Sequence, residues 1–342
     1  MSLNIFHSID LLAKELDQIS SAHSAVFILC DENTNSLCVR HLIESIPLLH
    51  HAEIIEVPAG EESKCLAILE QVVEELLERG ADRNTLLLNV GGGVITDLGG
   101  LVGATYKRGI DFIHIPTSLM AQVDAAIGGK NGVDVGTTKN VFGVFQPPKA
   151  IFIFTEFLAT LPNSELLSGY AEMIKHGLIA DSNYWTTLQE INPLNWNELA
   201  LFIEQSAHIK SAIVALDPLD KNERKKLNFG HTVGHAIESF YLQKSKPVTH
   251  GQAVAWGMQV ENQIASAINL LDTNISKTVN EFIASHFGIP PEFSPQDKEI
   301  LLSFMKKDKK NKLNTIHMSL VSKIGKCKIN CEIEEDLILR SL

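Results

Sequence analysis

The stretch Thr85-Leu-Leu-Leu-Asn-Val90-Gly-Gly-Gly93-Val-Ile-Thr-Asp97 passes from an apolar segment through three glycines into a helix-compatible sequence. A continuous apolar run bounded by a turn signal reads as a strand buried on both faces. The glycines read as a tight turn that opens a helix. Similar runs precede it at residues 24–30 and 53–58, and Ser63 to Arg79 has the spacing of an amphipathic helix between the second run and the third. Further strands are expected at 111–115 and 150–154, separated by helix-compatible segments. This alternation predicts a largely parallel sheet with helices on its faces. Beyond Phe154 strand signals nearly vanish. Helices are expected over 164–180, 198–216, 222–242, 250–271, 276–287 and 296–306, with breaks at Pro193, Pro247 and Pro290-Pro291. A short hairpin between Thr315 and Ile329, turning at Gly325, closes this helical half.

A chain of 342 residues suits two domains with a cleft between them. Hydrophobic residues make up 45% and charged residues 20%, ordinary for a globular chain, and no apolar run approaches the ~18 residues of a membrane span. Residues 1 to 20 lack a basic start, an apolar stretch and a small-residue cleavage site, so a cytoplasmic location is expected. Cys30, Cys38, Cys65, Cys327 and Cys331 are scattered and odd in number, which argues against a disulfide framework. A net charge of −12 opposes nucleic-acid binding. Two basic runs, Lys221 to Lys226 and Lys306 to Lys312, stand out against that acidic background.

The glycine turn sets bare backbone amides at a helix N-terminus, where they can hold a pyrophosphate, although the spacing is not GxGxxG. Asp97 is then placed to reach a ribose or a nicotinamide amide. Gly60-Glu61-Glu-Ser-Lys64 also follows a strand and starts a helix, and it offers Glu61 and Lys64 to a nucleotide. Between Ala121 and Gly132 the chain combines Asp124, glycine-rich backbone and Lys130, with Lys139-Asn140 following. Glycine lets backbone approach a ligand closely, and lysine neutralises phosphate or carboxylate. From Arg224 to Glu238, the residues Arg224, Asn228, His231 and His235 recur at steps that return to one face of an α-helix. A polar row set among Leu227, Phe229, Val233, Ile237 and Phe240 points to a metal with an anion beside it. A catalytic metal needs a third protein ligand, and Glu172, with Lys175 one turn on, and His250 are the candidates.

In order along the chain, Gly91-Gly-Gly-Val-Ile-Thr-Asp97, Tyr106-Lys-Arg108-Gly, Pro116-Thr117-Ser118-Leu-Met-Ala-Gln-Val-Asp124, Gly128-Gly-Lys130 and Lys139-Asn140 resemble blocks of the sugar phosphate cyclase family. So do Ala171-Glu172-Met-Ile-Lys175, Asn228-Phe-Gly-His231-Thr-Val-Gly-His235 and His250-Gly. The resemblance extends from about Asp31 to Asn311 and is strongest to the members that form dehydroquinate. It implies an α/β plus all-α fold. A Rossmann-like N-terminal domain with a mostly parallel sheet, over residues 1–160, would hold NAD, and a helical C-terminal domain, over 161–342, would contribute the metal.

Matched by position, the resemblance implies Glu172, His231 and His250 as ligands of one zinc or cobalt ion. It implies Asp31, Asn33, Glu61, Lys64, Gly91, Gly92, Gly93, Asp97, Thr117 and Ser118 around NAD. Asp124, Lys130, Asn140, Lys175, Lys210, Arg224, Asn228, His235 and a lysine of the pair Lys309-Lys310 would face substrate. Lys139 would lie near both ligands, and Arg108 would reach the phosphate site of a neighbouring subunit in a homodimer. The implied substrate is a phosphorylated sugar acid, 3-deoxy-D-arabino-heptulosonate 7-phosphate. Transient oxidation by NAD, loss of phosphate, reduction and aldol closure would give 3-dehydroquinate, a step of the shikimate pathway. His235 is expected to relay a proton at the C5 hydroxyl.

Four departures accompany the match. The segment between His235 and His250 is slightly long, Val135-Gly-Thr-Thr138 replaces the usual loop before Lys-Asn, Asn131 replaces a common Thr, and Gln252 replaces a common Glu. The last is expected to weaken the support of His250. Cyclases that form 2-deoxy-scyllo-inosose or 2-epi-5-epi-valiolone would share the NAD and metal parts, but Gly128-Gly-Lys130-Asn-Gly-Val favours dehydroquinate formation. Metal-dependent polyol dehydrogenases would release NADH, and the cations Lys130, Lys175, Lys210 and Arg224 speak against them.

Overall fold

The apolar run before the three glycines is buried at every residue from Leu86 to Gly91, as a strand covered on both faces must be. It belongs to a computed structural model that describes residues 2–136, 138–307 and 316–342. The chain divides into two units, Met1–Pro162 and Asn163–Leu342.

The first unit holds strands β1 (Ser2–Phe6), β2 (Val26–Asp31), β3 (Glu53–Val57), β4 (Leu86–Gly91), β5 (Asp111–Pro116), β6 (Lys130–Val135), β7 (Thr138–Phe145) and β8 (Ala150–Phe154). Its α-helices are α1 (Ile9–Ser20), α2 (Glu32–Thr34), α3 (Arg40–Ser45), α4 (Leu66–Glu78) and α5 (Gly93–Thr105). Six strands form one sheet in the order β1-β8-β5-β4-β2-β3, and every pairing is parallel. Successive side chains point to opposite faces. Ile28, Cys30, Leu86, Leu88 and Val90 therefore pack with Leu12, Leu16 and Leu42 on one side. Phe27, Leu29 and Leu87 pack with Val72, Leu76 and Leu98 on the other. Each such side chain contributes roughly 1.5–3 kcal/mol by leaving water. This is the Rossmann-like parallel sheet that the strand and helix alternation predicts.

Two elements of this unit are not apparent from the sequence. The edge strand β1 is one. The other is the antiparallel hairpin of β6 and β7, paired from Lys130↔Phe145 to Val135↔Thr138, where the sequence reads as glycine-rich loop.

Beneath α5 lies a buried polar group. His114 of β5 is 1% exposed, and its Nδ1 is 3.2 Å from Asn89 Nδ2. The helix can lie over it only because Gly99 and Gly100 lack side chains. A Cβ on Gly99 would stand 1.9 Å from Asn89 Oδ1, and one on Gly100 would stand 2.0 Å from Asn131 Oδ1.

The second unit is helical, with α6 (Asn163–Ala180), α7 (Ser182–Leu188), α8 (Trp196–Ala200), α9 (Ile203–Leu216), α10 (His231–Gln243), α11 (His250–Ala267), α12 (Thr273–Phe287), α13 (Pro295–Lys307) and α14 (Glu335–Ser341). The expected hairpin is present as antiparallel β9 (Ile316–Lys323) and β10 (Lys326–Ile333). The helix expected over 222–242 is divided. A 3-10 turn spans Glu223–Asn228, Gly230 takes a left-handed φ of 79°, and α10 starts only at His231. Arg224 and Asn228 thus do not share a helix with His231 and His235, because the glycine resets the chain direction between the two pairs. The helix expected over 198–216 is likewise split into α8 and α9. No helix among the described residues is long and apolar enough to cross a membrane.

Burial pushes the His114 pKa down to about 3. The folded chain keeps this imidazole neutral while the unfolded chain takes up a proton below about 6.5, so stability falls as pH drops through that window. The slope from this group is at most about 1.4 kcal/mol per pH unit. Urea unfolding at pH 6.5 and pH 5 should show about 2 kcal/mol more loss in the unsubstituted chain than in His114→Gln. Equal losses would remove His114 as the source.

Candidate active site

All six strands of the sheet run the same way, so their carboxyl ends share one edge. The chain goes from β2 outward to β3 and then returns across β2 to β4. The order therefore reverses at the β2/β4 boundary, which is where open α/β sheets bind their ligands. Asp31 ends β2, Gly91 ends β4, and Gly92 stands at the N-cap of α5, which Gly93 begins. Thr117 and Ser118 follow β5. The Thr117 N–H donates to the Gly91 carbonyl at 3.0 Å, and a Cβ on Gly92 would meet Ser118 Oγ at 3.4 Å. The backbone amides at the start of this 13-residue helix are suited to a phosphate.

Beyond β3, Lys64 is buried with Nζ 2.5 Å from Asp97 Oδ2. Burial alone would lower the lysine pKa, but Asp97 and then Glu61 outweigh it and raise the value above normal. Glu61 Oε1 is 3.5 Å from Lys139 Nζ. The Asp31 carboxylate accepts the Thr34 N–H at 2.8 Å and so caps the short helix that contains Asn33. In the hairpin, Asn140 adopts a φ of 51° and donates its N–H to Asp134 Oδ1 at 2.6 Å. Lys130 begins β6 and is exposed, and Asp124 lies in the turn Ala121–Ala125. Arg108 follows Lys107 with both residues at positive φ, 74° and 48°, and lines a cavity of about 350 Å³ with His23 and Arg83.

In the second unit, three helices bring Glu172, His231 and His250 together. Glu172 sits in the middle of α6 and is fully buried, with the Lys175 ammonium one turn on and paired to its carboxylate. His231 is the first residue of α10 and His250 the first of α11. Their Nε2 atoms lie 3.4 and 3.7 Å from the same oxygen, Glu172 Oε1. Ligand atoms about 2.1 Å from a tetrahedral ion lie roughly 3.4 Å apart, so the distances from Glu172 Oε1 to both imidazoles suit a shared zinc-sized cation, and His231, His235 and His250 also offer ligand atoms all within 4.8 Å of one another.

The second nitrogen of each imidazole is also held. His231 Nδ1 is 3.1 Å from the Phe229 carbonyl, and His250 Nδ1 is 3.4 Å from Glu238 Oε2. Protonation at Nδ1 leaves each Nε2 free to bind metal, an arrangement common among metal-bound histidines. Burial lowers the His231 pKa, and the nearby Lys175 adds to that. For His250, burial is outweighed by Glu172 and Glu238, which hold its pKa up to about 9. His235 completes the group at its exposed rim, with ring centroids 5.1 Å from His231 and 5.6 Å from His250.

Gln252, the departure expected to weaken the support of His250, is hydrogen-bonded in this structure. Its amide donates to the Phe287 carbonyl at 2.7 Å, and the carboxylate beside His250 comes from Glu238 on α10. The role of Glu238 is not legible in the sequence, because its partner is fixed by helix packing and not by spacing. The same holds for Asp217. Its carboxylate accepts the N–H groups of Lys221, Asn222 and Arg224 at 3.0, 2.6 and 3.2 Å, and this sets the loop that carries Arg224. Lys175, Lys210 and Arg224 are all buried, at 1, 5 and 3% exposure. Asn228 ends the 3-10 turn before α10. Lys309 and Lys310 lie outside the described residues.

Comparison with known proteins accounts for both units. The family model described as 3-dehydroquinate synthase N-terminal matches residues 54–168, and the one described as 3-dehydroquinate synthase C-terminal matches residues 169–311. A 3-dehydroquinate synthase of Parabacteroides distasonis is 41% identical over 336 residues, covering 97% of this chain and 95% of that protein. Among solved structures, 2-epi-5-epi-valiolone synthase from Streptomyces hygroscopicus subsp. jinggangensis, with NAD+ and Zn2+ bound, aligns with a TM-score of 0.86 at 24% identity, covering 100% of this chain and 96% of that one. A 2-deoxy-scyllo-inosose synthase complexed with carbaglucose-6-phosphate, NAD+ and Co2+ aligns with a TM-score of 0.83 at 23% identity, covering 99% and 95%. These two structures share the fold, and the family assignment comes from the sequence matches: the chain belongs to the 3-dehydroquinate synthase family.

Proposed function

We propose that this chain converts 3-deoxy-D-arabino-heptulosonate 7-phosphate into 3-dehydroquinate and phosphate, as a carbon–oxygen lyase of the shikimate pathway. The observation that carries this reading is the convergence of Glu172, His231 and His250 in a unit that also buries Lys175, Lys210 and Arg224. Buried cations select an anionic substrate, here one bearing a phosphate and a carboxylate, over the neutral polyols of related dehydrogenases.

When bound, a zinc or cobalt ion held by Glu172, His231 and His250 supplies Lewis acidity toward the substrate hydroxyls, and NAD supplies a hydride acceptor that is regenerated in each turnover. The chain's own groups bind, orient and move protons. Arg224 binds an anionic group of the substrate through its planar fork, and its loop is fixed by Asp217. Lys130, Lys175, Lys210, Asp124, Asn140 and Asn228 orient the remaining polar groups, and Lys309 is assigned with them by family position. His235, exposed at the rim of the imidazole cluster, relays the C5 hydroxyl proton. In the first unit, Gly91, Gly92 and Gly93 hold the NAD pyrophosphate, and Asp31, Asn33, Glu61, Lys64, Asp97, Thr117, Ser118 and Lys139 surround the remainder of the dinucleotide. The prealigned Lys64–Asp97 pair supports that role.

We assign a cytoplasmic homodimer, with Arg108 reaching the partner's phosphate site and with no nucleic-acid or membrane partner. The five free thiols fit a reducing compartment.

The direct test supplies substrate, metal and catalytic NAD. Phosphate release without lasting NADH is the expected result, and stoichiometric NADH would refute the reading. His231→Ala should cut turnover more than about 100-fold, exceeding the 10–100-fold typical of residues that only support a ligand, and it should lose tightly held metal in the same preparation. Normal turnover with retained zinc would disprove the ligand role. Arg224→Ala removes a charge-assisted contact worth about 1.5–3 kcal/mol, so KM should rise roughly 10- to 100-fold with a smaller change in kcat. An unchanged KM would count against an anion contact.

A further inference from the structure

Helix α10 starts at His231, directly after Gly230, which has no side chain to cap it and where a Cβ would stand 2.5 Å from Met258 Cγ. Two amides of its first turn, those of Gly230 and Val233, have no acceptor within the helix. Both donate to Glu261 on α11, to Oε2 at 2.7 Å and to Oε1 at 3.1 Å. Glu261 is 0% exposed. A single carboxylate, supplied by a neighbouring helix, thus occupies the two positions that a capping box fills from within one helix. It also places negative charge at the positive end of the helix dipole.

His231 lies between the two bonded amides. The same helix α11 begins with His250 and carries Glu261 three turns later. The two helices meet through glycine: a Cβ on Gly257 would stand 2.0 Å from the Gly230 carbonyl oxygen, and one on Gly234 would stand 3.0 Å from that of Ala253. The position of His231 relative to His250 is therefore set by backbone contact on one side and by Glu261 on the other. We infer that Glu261 is a positioning residue for the metal site, fixing the first turn of α10 so that His231 Nε2 meets Glu172 and His250 before any ion arrives. This rests on the reading of His231 as a metal ligand.

Glu261→Gln preserves size but offers only one accepting oxygen, so one of the two amides loses its partner. Folded Glu261→Gln should bind zinc about 10- to 100-fold more weakly, and its cobalt-loaded form should show an altered visible d–d spectrum. Wild-type zinc affinity and an unchanged cobalt spectrum, even with a lowered Tm, would overturn the inference and leave Glu261 a structural residue. His231→Ala measured alongside separates the two readings. If it binds zinc as tightly as the unsubstituted chain, the ligand assignment falls and this inference falls with it. If Glu261→Gln does not fold, amide exchange at Gly230 and Val233 in the unsubstituted protein decides. Equal protection with and without zinc supports prior positioning, and protection that appears only with zinc overturns it.

Discussion

The second unit is organised around one carboxylate taken out of water. An ionised glutamate at 0% exposure is tolerated only when cations and hydrogen-bond donors replace its hydration. Glu172 meets this need through Lys175, one turn further along α6, while the imidazoles that begin α10 and α11 converge on the same carboxylate as further donors to a cation. No single helix can present such a set, so three must converge with two of them arriving by their N-termini. That requirement explains features that look unrelated in the sequence. Gly230 allows the abrupt start of α10, Gly234 and Gly257 allow α10 and α11 to touch along their backbones, and Thr249 accepts the Gln252 N–H to cap α11 at His250. The helices are placed so that the donors, and not merely the apolar faces, come into register.

The first unit relies on a different device. Its candidate ligand contacts come from successive strand ends that topology alone puts on one edge, and little of their placement depends on individual side-chain pairs. Asp31, Gly91 and Thr117 are separated widely in sequence, yet parallel pairing of β2, β4 and β5 sets them side by side. Glycine again lets polar groups sit where a Cβ would exclude them, as with Gly99 and Gly100 above Asn89 and Asn131. Here the glycines accommodate a neutral histidine network in the core, whereas in the second unit they bring metal-type donors together.

What the sequence discloses follows from the range of each interaction. The βα turn at Gly91–Gly93 is legible because strand burial, glycine turn and helix start are all local signals. The row of Arg224, Asn228, His231 and His235 reads as one helical face but is divided, since a left-handed glycine interrupts the helix without disturbing the apolar spacing. The β6–β7 hairpin escaped notice because glycines and exposed residues hide its alternation. Glu238, Asp217 and Glu261 carried no legible role at all. Each is an ordinary acidic residue by position, and its function is conferred by groups 12, 7 and 31 residues away, respectively, that only the packed structure identifies.

The charge distribution raises a last point of physics. A chain of net charge −12 repels an anionic sugar phosphate at long range. In physiological salt, however, that field decays within about 8 Å, so the overall charge has little influence on a ligand already at the surface. Lys175, Lys210 and Arg224 act from within the protein, where the dielectric constant is lower and each charge interacts more strongly than it would in water. At short range a buried cation can therefore count for more than many exposed, screened carboxylates. The same asymmetry makes these cations poor partners for nucleic acid, whose recognition depends on exposed lysines and arginines spread along a surface. The buried cations lie among buried carboxylates such as Glu172 and Glu261, so any attraction they exert is local and not a field of the whole molecule.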